Sequence, residues 1–198
     1  MSTDHFDLTG RTALITGASR GLGQVFGRAL ARAGADLIVT SRKAEDLTPF
    51  CHEVEAIGRR ALPLELDVRD QYSIEAMCKA AIAAVDGIDV LVNNAGCNIR
   101  KPALEVTWED WNTILDTNLR GTFFIAQAVA RHMIERQYGR IVNIGSVTCV
   151  AGEVWLAFGE QRPVAAQLED HRGEVLDAAF EDATTIWDRA GEDNLIDA

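Results

Sequence analysis

The sequence predicts a doubly wound α/β fold, with one sheet of five parallel strands and helices on both of its faces. Two observations predict it: short apolar runs recur along residues 12–145, and apolar residues at helical spacing fill the intervals between them. Strands that alternate with helices are connected by right-handed crossovers and are therefore parallel. A sheet of this kind binds ligands beyond the carboxyl ends of its strands.

Strands and helices can be assigned in chain order. The five predicted strands are residues 12–16, 36–40, 61–66, 88–93 and 140–145. The apolar stripe after the first strand predicts a helix that ends at Gly34, and its members are Leu22, Val25, Phe26, Ala29, Leu30 and Ala33. Thr107 and Asp110 have the spacing of a capping box, so a further helical region is expected from there to His132.

Composition and charge exclude several classes of protein. The 198 residues are 47% hydrophobic, enough for one packed core, and the formal net charge of −11 would repel a phosphate backbone, so no nucleic acid is expected as a partner. The apolar runs fall short of the roughly 20 residues of a membrane span, and the first residues lack the apolar segment of a signal peptide. A cytoplasmic location is therefore expected. The four cysteines lie far apart without a histidine at ligand spacing, so no metal site is predicted.

A glycine-rich loop joins the first predicted strand to the first predicted helix. It reads TGASRGLG over residues 16–23. Glycines here let the backbone turn tightly and approach a pyrophosphate, and the helix beyond them offers unpaired N–H groups to an anion. The strand–loop–helix context favours dinucleotide binding over a purely structural turn. The predicted contributors are Gly17, Ser19, Arg20, Gly21, Leu22 and Gly23.

The loop and four later motifs together resemble the short-chain dehydrogenase/reductase family over about residues 8–152. The loop is similar to the family's T-G-x-x-x-G-x-G, and residues 93–96 match its N-N-A-G at the end of the fourth strand. The resemblance implies a Rossmann-like fold in which the end of the third strand contacts the adenine of the cofactor. The further cofactor-binding residues that it implies are Asp67, Val68, Asn94, Ala95 and Gly96.

Two more matches fall on catalytic positions of the family. Asn118 lies in NLRG and Ser146 lies in NIGS. The resemblance implies that Asn118 supports a water in a proton relay and that Ser146 is the catalytic serine. The alternative for Asn118 is a structural role within a helical run, and the alternative for Ser146 is a turn at a strand end.

Basic residues favour NADP(H) over NAD(H) as the cofactor. Ser41 and Arg42 follow the second strand, and Arg20 lies within the glycine loop. An acidic residue after this strand would bind a ribose 2′-hydroxyl, whereas arginine accommodates a 2′-phosphate. The alternative is that these basic side chains are only solvated.

The sequence departs from the family where a tyrosine and a lysine are expected. The motif Tyr-x-x-x-Lys would fall at or near residues 158–159 (Phe-Gly) and 162–163 (Arg-Pro). In the family the tyrosine acts as the general acid and the lysine lowers its pKa. Tyr72 and Tyr138 are the only tyrosines of the chain, and neither is expected near the site. The remaining candidates for an acid are His171 and Glu160.

Residues 153–198 form an acidic tail that differs in character from residues 1–152, the predicted dinucleotide-binding domain. From residue 152 onward, 12 Asp and Glu residues face three Arg residues. A helical stripe predicts an amphipathic helix in the tail, with the members Leu176, Phe180, Ala183 and Trp187. The last two strands of the family are missing or replaced, so the fifth strand is expected to form a sheet edge. The tail is either the product of a shifted reading frame or a functional variant.

Two functional hypotheses follow from the sequence. In the first, the chain is an NADP(H)-dependent short-chain oxidoreductase acting on a small carbonyl compound or alcohol, impaired by the missing tyrosine and lysine. In the second, it is a non-catalytic NADP(H)-binding fragment or interaction module. The resemblance leaves assembly into a homo-oligomer open.

Overall fold

The computed structural model describes residues 7–145 of the chain, so the predictions made for Ser146 and for the acidic tail lie outside the described residues. Five strands form one parallel sheet in the order β3-β2-β1-β4-β5, which confirms the predicted fold class. The strands are β1 (Thr12–Ile15), β2 (Asp36–Ser41), β3 (Ala61–Glu65), β4 (Val90–Asn93) and β5 (Arg140–Asn143).

The strand order places a topological switch point at β1. The chain moves outward from β1 through β2 to β3, then returns to pair β4 with the other side of β1. Successive crossovers therefore leave β1 in opposite directions, and a crevice opens beyond the carboxyl ends of β1 and β4. The glycine loop and the N-N-A-G segment begin at these two strand ends.

Helices cover both faces of the sheet. Helices α1 (Leu22–Arg32) and α2 (Thr48–Ala56) pack on one face, where Ile15, Val39 and Phe50 form the core. Helices α3 (Gln71–Ala84) and α5 (Thr122–Glu135) pack on the other, around Leu14, Ile38 and Leu91. A 3-10 turn, Ala44–Leu47, precedes α2. Helix α4 (Trp108–Leu115) runs through a π-helical segment, Asp116–Gly121, into α5.

The predicted capping box at the start of α4 is confirmed. The Thr107 hydroxyl accepts from the Asp110 backbone N–H, and the Asp110 carboxylate accepts from the Thr107 backbone N–H. The helical region predicted from there to His132 is continuous in the structure, apart from the local widening into the π-helical segment. Residues 100–106 belong to a separate compact unit and contain one 3-10 turn, Ala103–Glu105.

Helix α1 contacts the core through small residues, and the apolar stripe predicted for it is partly wrong. Leu22 and Val25 are 59% and 53% exposed, whereas Gly23, Gly27 and Ala31 are buried. A Cβ on Gly27 would lie 2.5 Å from the Phe50 ring. Larger side chains on this face would therefore hold α1 away from α2, and Leu22 and Val25 on the neighbouring face are left in solvent.

Strand β5 is the last strand of the sheet within residues 7–145. It pairs with β4 on one side, and its four residues are exposed. The expectation of a sheet edge at the fifth strand agrees with this arrangement. Whether the acidic tail covers the edge lies outside the described residues.

Candidate functional site

The carboxyl ends of the strands border a cleft of about 430 Å³. The structure brings nearly all of the predicted cofactor-binding residues to its walls: Gly17, Ser19, Arg20, Gly21, Leu22, Ser41, Arg42, Asp67, Val68, Asn94, Ala95 and Gly96. Gly23 is buried and does not line the cleft. Four segments that are distant in sequence thus converge on one concave surface, as the order of the strands requires.

The glycines of the loop allow close packing within the protein, and the loop leads into a helix start with unpaired donors. Gly17 has φ +68°, and a Cβ there would lie 2.9 Å from the Ala95 Cα. A Cβ on Gly23 would lie 2.4 Å from the Gly17 carbonyl oxygen. Gly21 precedes α1 without a side-chain cap, and the first turn of α1 contains no acidic residue. Its first N–H groups, at the positive end of the helix dipole, therefore suit a pyrophosphate.

Thr16 and Asn94 join the glycine loop to the segment after β4. The buried Thr16 hydroxyl accepts from the backbone N–H groups of Asn94 and Ala95, at 3.0 and 2.9 Å. The Asn94 amide nitrogen donates to the carbonyl oxygens of Thr16 and Gly17, at 3.0 and 3.1 Å. The Asn94 side chain therefore shapes the cleft wall. Sequence reasoning did not single out Thr16, although its fixed place before the first glycine could have indicated it.

Replacing Thr16 with valine is expected to lower the free energy of unfolding by about 1–3 kcal/mol, because two backbone N–H groups lose their acceptor in a buried place. Thr16→Ser keeps the hydroxyl and is the matched control, with a smaller loss expected. Urea denaturation of the three proteins measures the difference. A Thr16→Val protein as stable as Thr16→Ser would contradict this role of the hydroxyl.

Two arginines face the cleft without partners of their own. Arg20 and Arg42 are exposed, and neither forms a hydrogen bond or an ion pair within residues 7–145. Ser41 is buried, and its hydroxyl donates to the Lys43 carbonyl oxygen and accepts from the Lys43 N–H at 3.3 Å. Ser41 thus holds the turn that carries Arg42, while the two guanidinium groups remain available to an anion.

Asp67 and Arg69 form an ion pair in the same cleft. Arg69 donates to the Asp67 carboxylate from Nη2 at 3.0 Å, from Nε at 3.2 Å and from the backbone N–H at 3.0 Å. The Arg69 guanidinium, through its hydrogen bonds, lowers the pKa of the Asp67 carboxyl below its ordinary value. The Ser73 hydroxyl accepts from the Asp67 backbone N–H and so fixes its backbone. Arg69 was not predicted from the sequence.

Asn118 lies in the π-helical segment and clamps the chain after β4. Its Oδ1 accepts from the Cys97 N–H at 2.8 Å, and its Nδ2 donates to the Cys97 carbonyl oxygen at 2.9 Å. Single π-helical turns inside α-helices are frequent at functional sites. Since Ser146 lies outside the described residues, the structure does not test whether the two predicted catalytic residues meet.

The two tyrosines lie where the sequence predicted them, away from the crevice. Tyr138 precedes β5, at the amino-terminal edge of the sheet, and its ring faces the guanidinium groups of Arg11 and Arg140 at 4.1 and 5.5 Å. Tyr72 is on the first turn of α3 and is 77% exposed. Among the described residues, neither phenol lines the cleft.

A parallel sheet with a glycine loop at its switch point defines a Rossmann-like α/β fold. The model of the short chain dehydrogenase family matches residues 11–158, and the chain belongs to this family. Within the part of the chain that the structure describes, no helix is both long and apolar enough to span a membrane.

Relatives of the chain include sugar-acid dehydrogenases and ketoacyl reductases. Gluconate 5-dehydrogenase of Gluconobacter oxydans is 44% identical over 73% of this chain and 56% of its own length. The 3-oxoacyl-(acyl-carrier-protein) reductase of Aquifex aeolicus is 38% identical over 74% of this chain and 60% of its own. The chain therefore spans less than two thirds of the length of these relatives.

A solved structure with a bound cofactor is also similar. The gluconate 5-dehydrogenase of Burkholderia cenocepacia, in complex with NADP and tartrate, is 41% identical, with a TM-score of 0.70 over 73% of this chain and 57% of that one.

Proposed function

We propose that the chain binds NADP(H) in the cleft and belongs to an oxidoreductase that reduces a small carbonyl compound or oxidises the matching alcohol. The observation that carries the cofactor assignment is the pair of cleft arginines, Arg20 and Arg42, which form no hydrogen bond or ion pair within residues 7–145. Two guanidinium groups that are not engaged in ion pairs suit a 2′-phosphate, and they offer no acceptor to the 2′-hydroxyl of NAD(H).

The rest of the cleft fits a dinucleotide. The uncapped start of α1 suits the pyrophosphate, and the ion-paired Asp67 lies where the family contacts the adenine. Solved relatives support the phosphate assignment, since a gluconate 5-dehydrogenase and a 3-oxoacyl-(acyl-carrier-protein) reductase were each crystallised with NADP. NAD(H) is the less favoured cofactor because no carboxylate of the cleft follows β2.

The chain is expected to bind NADPH more tightly than NADH, and Arg42→Asp is expected to remove or reverse the preference. Loss of a charged hydrogen bond corresponds to about 1–3 kcal/mol in the relative binding free energy. Isothermal titration calorimetry with both cofactors measures it. Arg131→Asp is the control, because Arg131 is exposed on α5, changes charge equally and does not line the cleft. Equal affinities of the parent protein for NADPH and NADH would contradict the assignment.

The chemical step is proposed to be weak in this chain. Bound NADPH supplies a hydride to the carbonyl carbon of the substrate, and the residues must then supply a proton to the oxygen. By resemblance, Ser146 polarises the carbonyl and Asn118 supports a water, but a hydroxyl and an amide are poor acids near neutral pH. The alternative function, a non-catalytic NADP(H)-binding fragment or interaction module, is favoured by the missing tyrosine and lysine.

The substrate class, the oligomeric state and the cellular location of the protein are also proposals. Two gluconate 5-dehydrogenases among its relatives support a small hydroxy acid or keto acid as the substrate class. Exposed apolar residues on α4, the π-helical segment and α5 support a homo-oligomer: Trp111, Leu115, Leu119 and Phe123 recur at a spacing of four. The cytoplasm is the proposed location, because the three described cysteines are free thiols, as is usual in a reducing compartment.

A further inference from the structure

Strand β5 presents backbone hydrogen-bonding groups at the edge of the described sheet. The Arg140 and Ile144 N–H groups each donate to a carbonyl oxygen on the β4 side of the parallel ladder, at 2.9 Å. Because alternate residues of a strand face the same neighbour, the N–H and C=O groups of Ile141 and Asn143 point away from β4. No other strand within residues 7–145 lies on that side of β5.

Residues 141–143 lack the features that keep natural edge strands from pairing with another chain. Such strands carry a proline, a bulge or an inward-pointing charge, whereas these residues are Ile-Val-Asn and pair with β4 in an unbroken register. Ile141 and Val142 are 37% and 45% exposed, although the apolar residues of a parallel sheet are usually buried on both faces. This edge therefore suits a second extended segment with apolar side chains.

The acidic tail is the other candidate to cover this edge, but its sequence does not suit a strand edge. Its apolar stripe predicts a helix, with the members Leu176, Phe180, Ala183 and Trp187. A helix uses its backbone N–H and C=O groups for its own hydrogen bonds, so it has none to offer along a strand. A copy of β5 from a second chain is already extended, and it carries the same open groups.

Two copies of β5 are self-complementary in one antiparallel register. A two-fold axis perpendicular to the sheet places Val142 opposite Val142 of the second copy, and it places Ile141 of each chain opposite Asn143 of the other. Because the open backbone groups of Ile141 and Asn143 then face each other, these two pairs exchange four hydrogen bonds. The two Val142 residues occupy the non-hydrogen-bonded position between them, where the Cα atoms lie about 4.5 Å apart.

The charge of Arg140 favours this register over the neighbouring one. An axis centred on Ile141 would give a single hydrogen-bonded pair within β5, and it would make the two Arg140 side chains diagonal neighbours, about 7–8 Å apart on one face. In the register centred on Val142 the two arginines are four residues apart along the strands, which is about 13 Å. Like charges on neighbouring positions of a sheet are destabilising, so the register centred on Val142 is preferred.

We propose that β5 is an interaction surface for a second copy of this chain, and that the two five-stranded sheets join through their β5 strands into one continuous sheet. This interface is independent of the proposed cofactor, because none of the four residues of β5 lines the cleft. It is also distinct from the apolar stripe on α4, the π-helical segment and α5. The contact between two short strands is smaller than the roughly 1,200 Å² of a standard interface, so a reversible dimer is expected.

Disulfide cross-linking of the full chain tests the register. Val142→Cys places two thiols at the non-hydrogen-bonded position, where the separation of the Cα atoms suits a disulfide. Mild oxidation is expected to give a covalent dimer, and peptide mapping should locate the disulfide at position 142 of both chains. Ile141→Cys is the matched control, because the two copies of residue 141 are diagonal neighbours about 7–8 Å apart and should not be linked. The parent protein, with its native cysteines, is the blank.

A charge at the same position tests the association in solution. Analytical ultracentrifugation of the parent over about 1–100 µM is expected to show a monomer–dimer equilibrium. Val142→Lys should raise the dissociation constant at least about tenfold, because it sets two like charges directly opposite each other. Leu119→Lys adds the same charge to the apolar stripe, where Leu119 is 65% exposed, and it should leave the cross-linking of Val142→Cys unchanged when the two are combined.

Each outcome of these measurements supports or overturns the interface. A disulfide at position 142 but not at position 141, together with weaker association of Val142→Lys, supports it. A parent that stays monomeric, with no more cross-linking in Val142→Cys than in the parent, overturns it and leaves the tail or solvent at the edge. If Leu119→Lys dissociates the dimer and Val142→Lys does not, the stripe carries the association and β5 does not. The circular dichroism spectrum of Val142→Lys should match that of the parent, which excludes unfolding as the cause.

Discussion

Oxidation of NADPH in a single turnover is expected to be slower in this chain, by roughly 10²–10⁴, than in a family member that carries the tyrosine and lysine. The reason is the proton that the carbonyl oxygen must receive after hydride transfer. A positioned general acid contributes a factor of this size, and neither described tyrosine lines the cleft: Tyr138 is held at the opposite edge of the sheet, and Tyr72 is in solvent on α3. Binding of NADPH should persist, because the residues that border the cleft precede Ser146.

The measurement pairs a binding titration of NADPH with rapid-mixing oxidation assays over a panel of ketones and keto acids. Tight binding with slow oxidation supports an impaired or non-catalytic nucleotide-binding protein. Oxidation at ordinary family rates, abolished by Ser146→Ala, would contradict the prediction and would show that residues after 145 supply an acid. His171→Ala and Glu160→Gln would then identify which of the two candidates from the sequence is responsible.

The fold could be predicted because its determinants are local and repeated. Each strand is a short apolar run, and each run is followed by a helical stripe, so the alternation alone fixes a parallel sheet. The cleft could be predicted for the same reason: residues that follow parallel strands must meet at one edge. This explains why the glycine loop, Asp67 and the segment from Asn94 to Gly96 line one surface although they are far apart in sequence.

Contacts that depend on distances between side chains could not be predicted. The packing of α1 through Gly27 reflects the space left by the Phe50 ring, which no local pattern encodes. The hydrogen bonds from the Asn94 amide to the carbonyl oxygens of Thr16 and Gly17 depend on the distance between β1 and β4. The ion pair of Arg69 with Asp67 could not be predicted because it depends on one side-chain rotamer of Arg69, in which Nε and Nη2 both donate to the carboxylate.

A buried carboxylate at the amino-terminal edge of the sheet was missed for the same reason, although it joins three segments. Asp89 is only 3% exposed and precedes β4. Its Oδ2 accepts from the Thr12 backbone N–H at 2.9 Å, and its Oδ1 faces Nη1 of Arg11 at 3.2 Å and Nη1 of Arg136 at 3.5 Å. One side chain thus ties the start of β1 to the segments before β4 and after α5. Asp89 and its partners lie at the edge of the sheet opposite to the cleft. Replacing Asp89 should therefore change the stability of the protein and leave cofactor binding unchanged.

Asp89→Asn is expected to lower the free energy of unfolding by about 2–3 kcal/mol, somewhat less than the value for a fully buried ion pair because both arginines are partly solvated. The substitution keeps the shape of the side chain, but it removes the charge and turns one acceptor into a donor that faces other donors. Urea unfolding measures the change, and the m value should stay constant if both proteins unfold in one step. Glu53→Gln is the control, since it weakens the solvent-exposed pair of Glu53 with Arg28 and should change stability little. An Asp89→Asn protein as stable as Glu53→Gln would mean that solvent, rather than the arginines, satisfies this carboxylate in the folded chain.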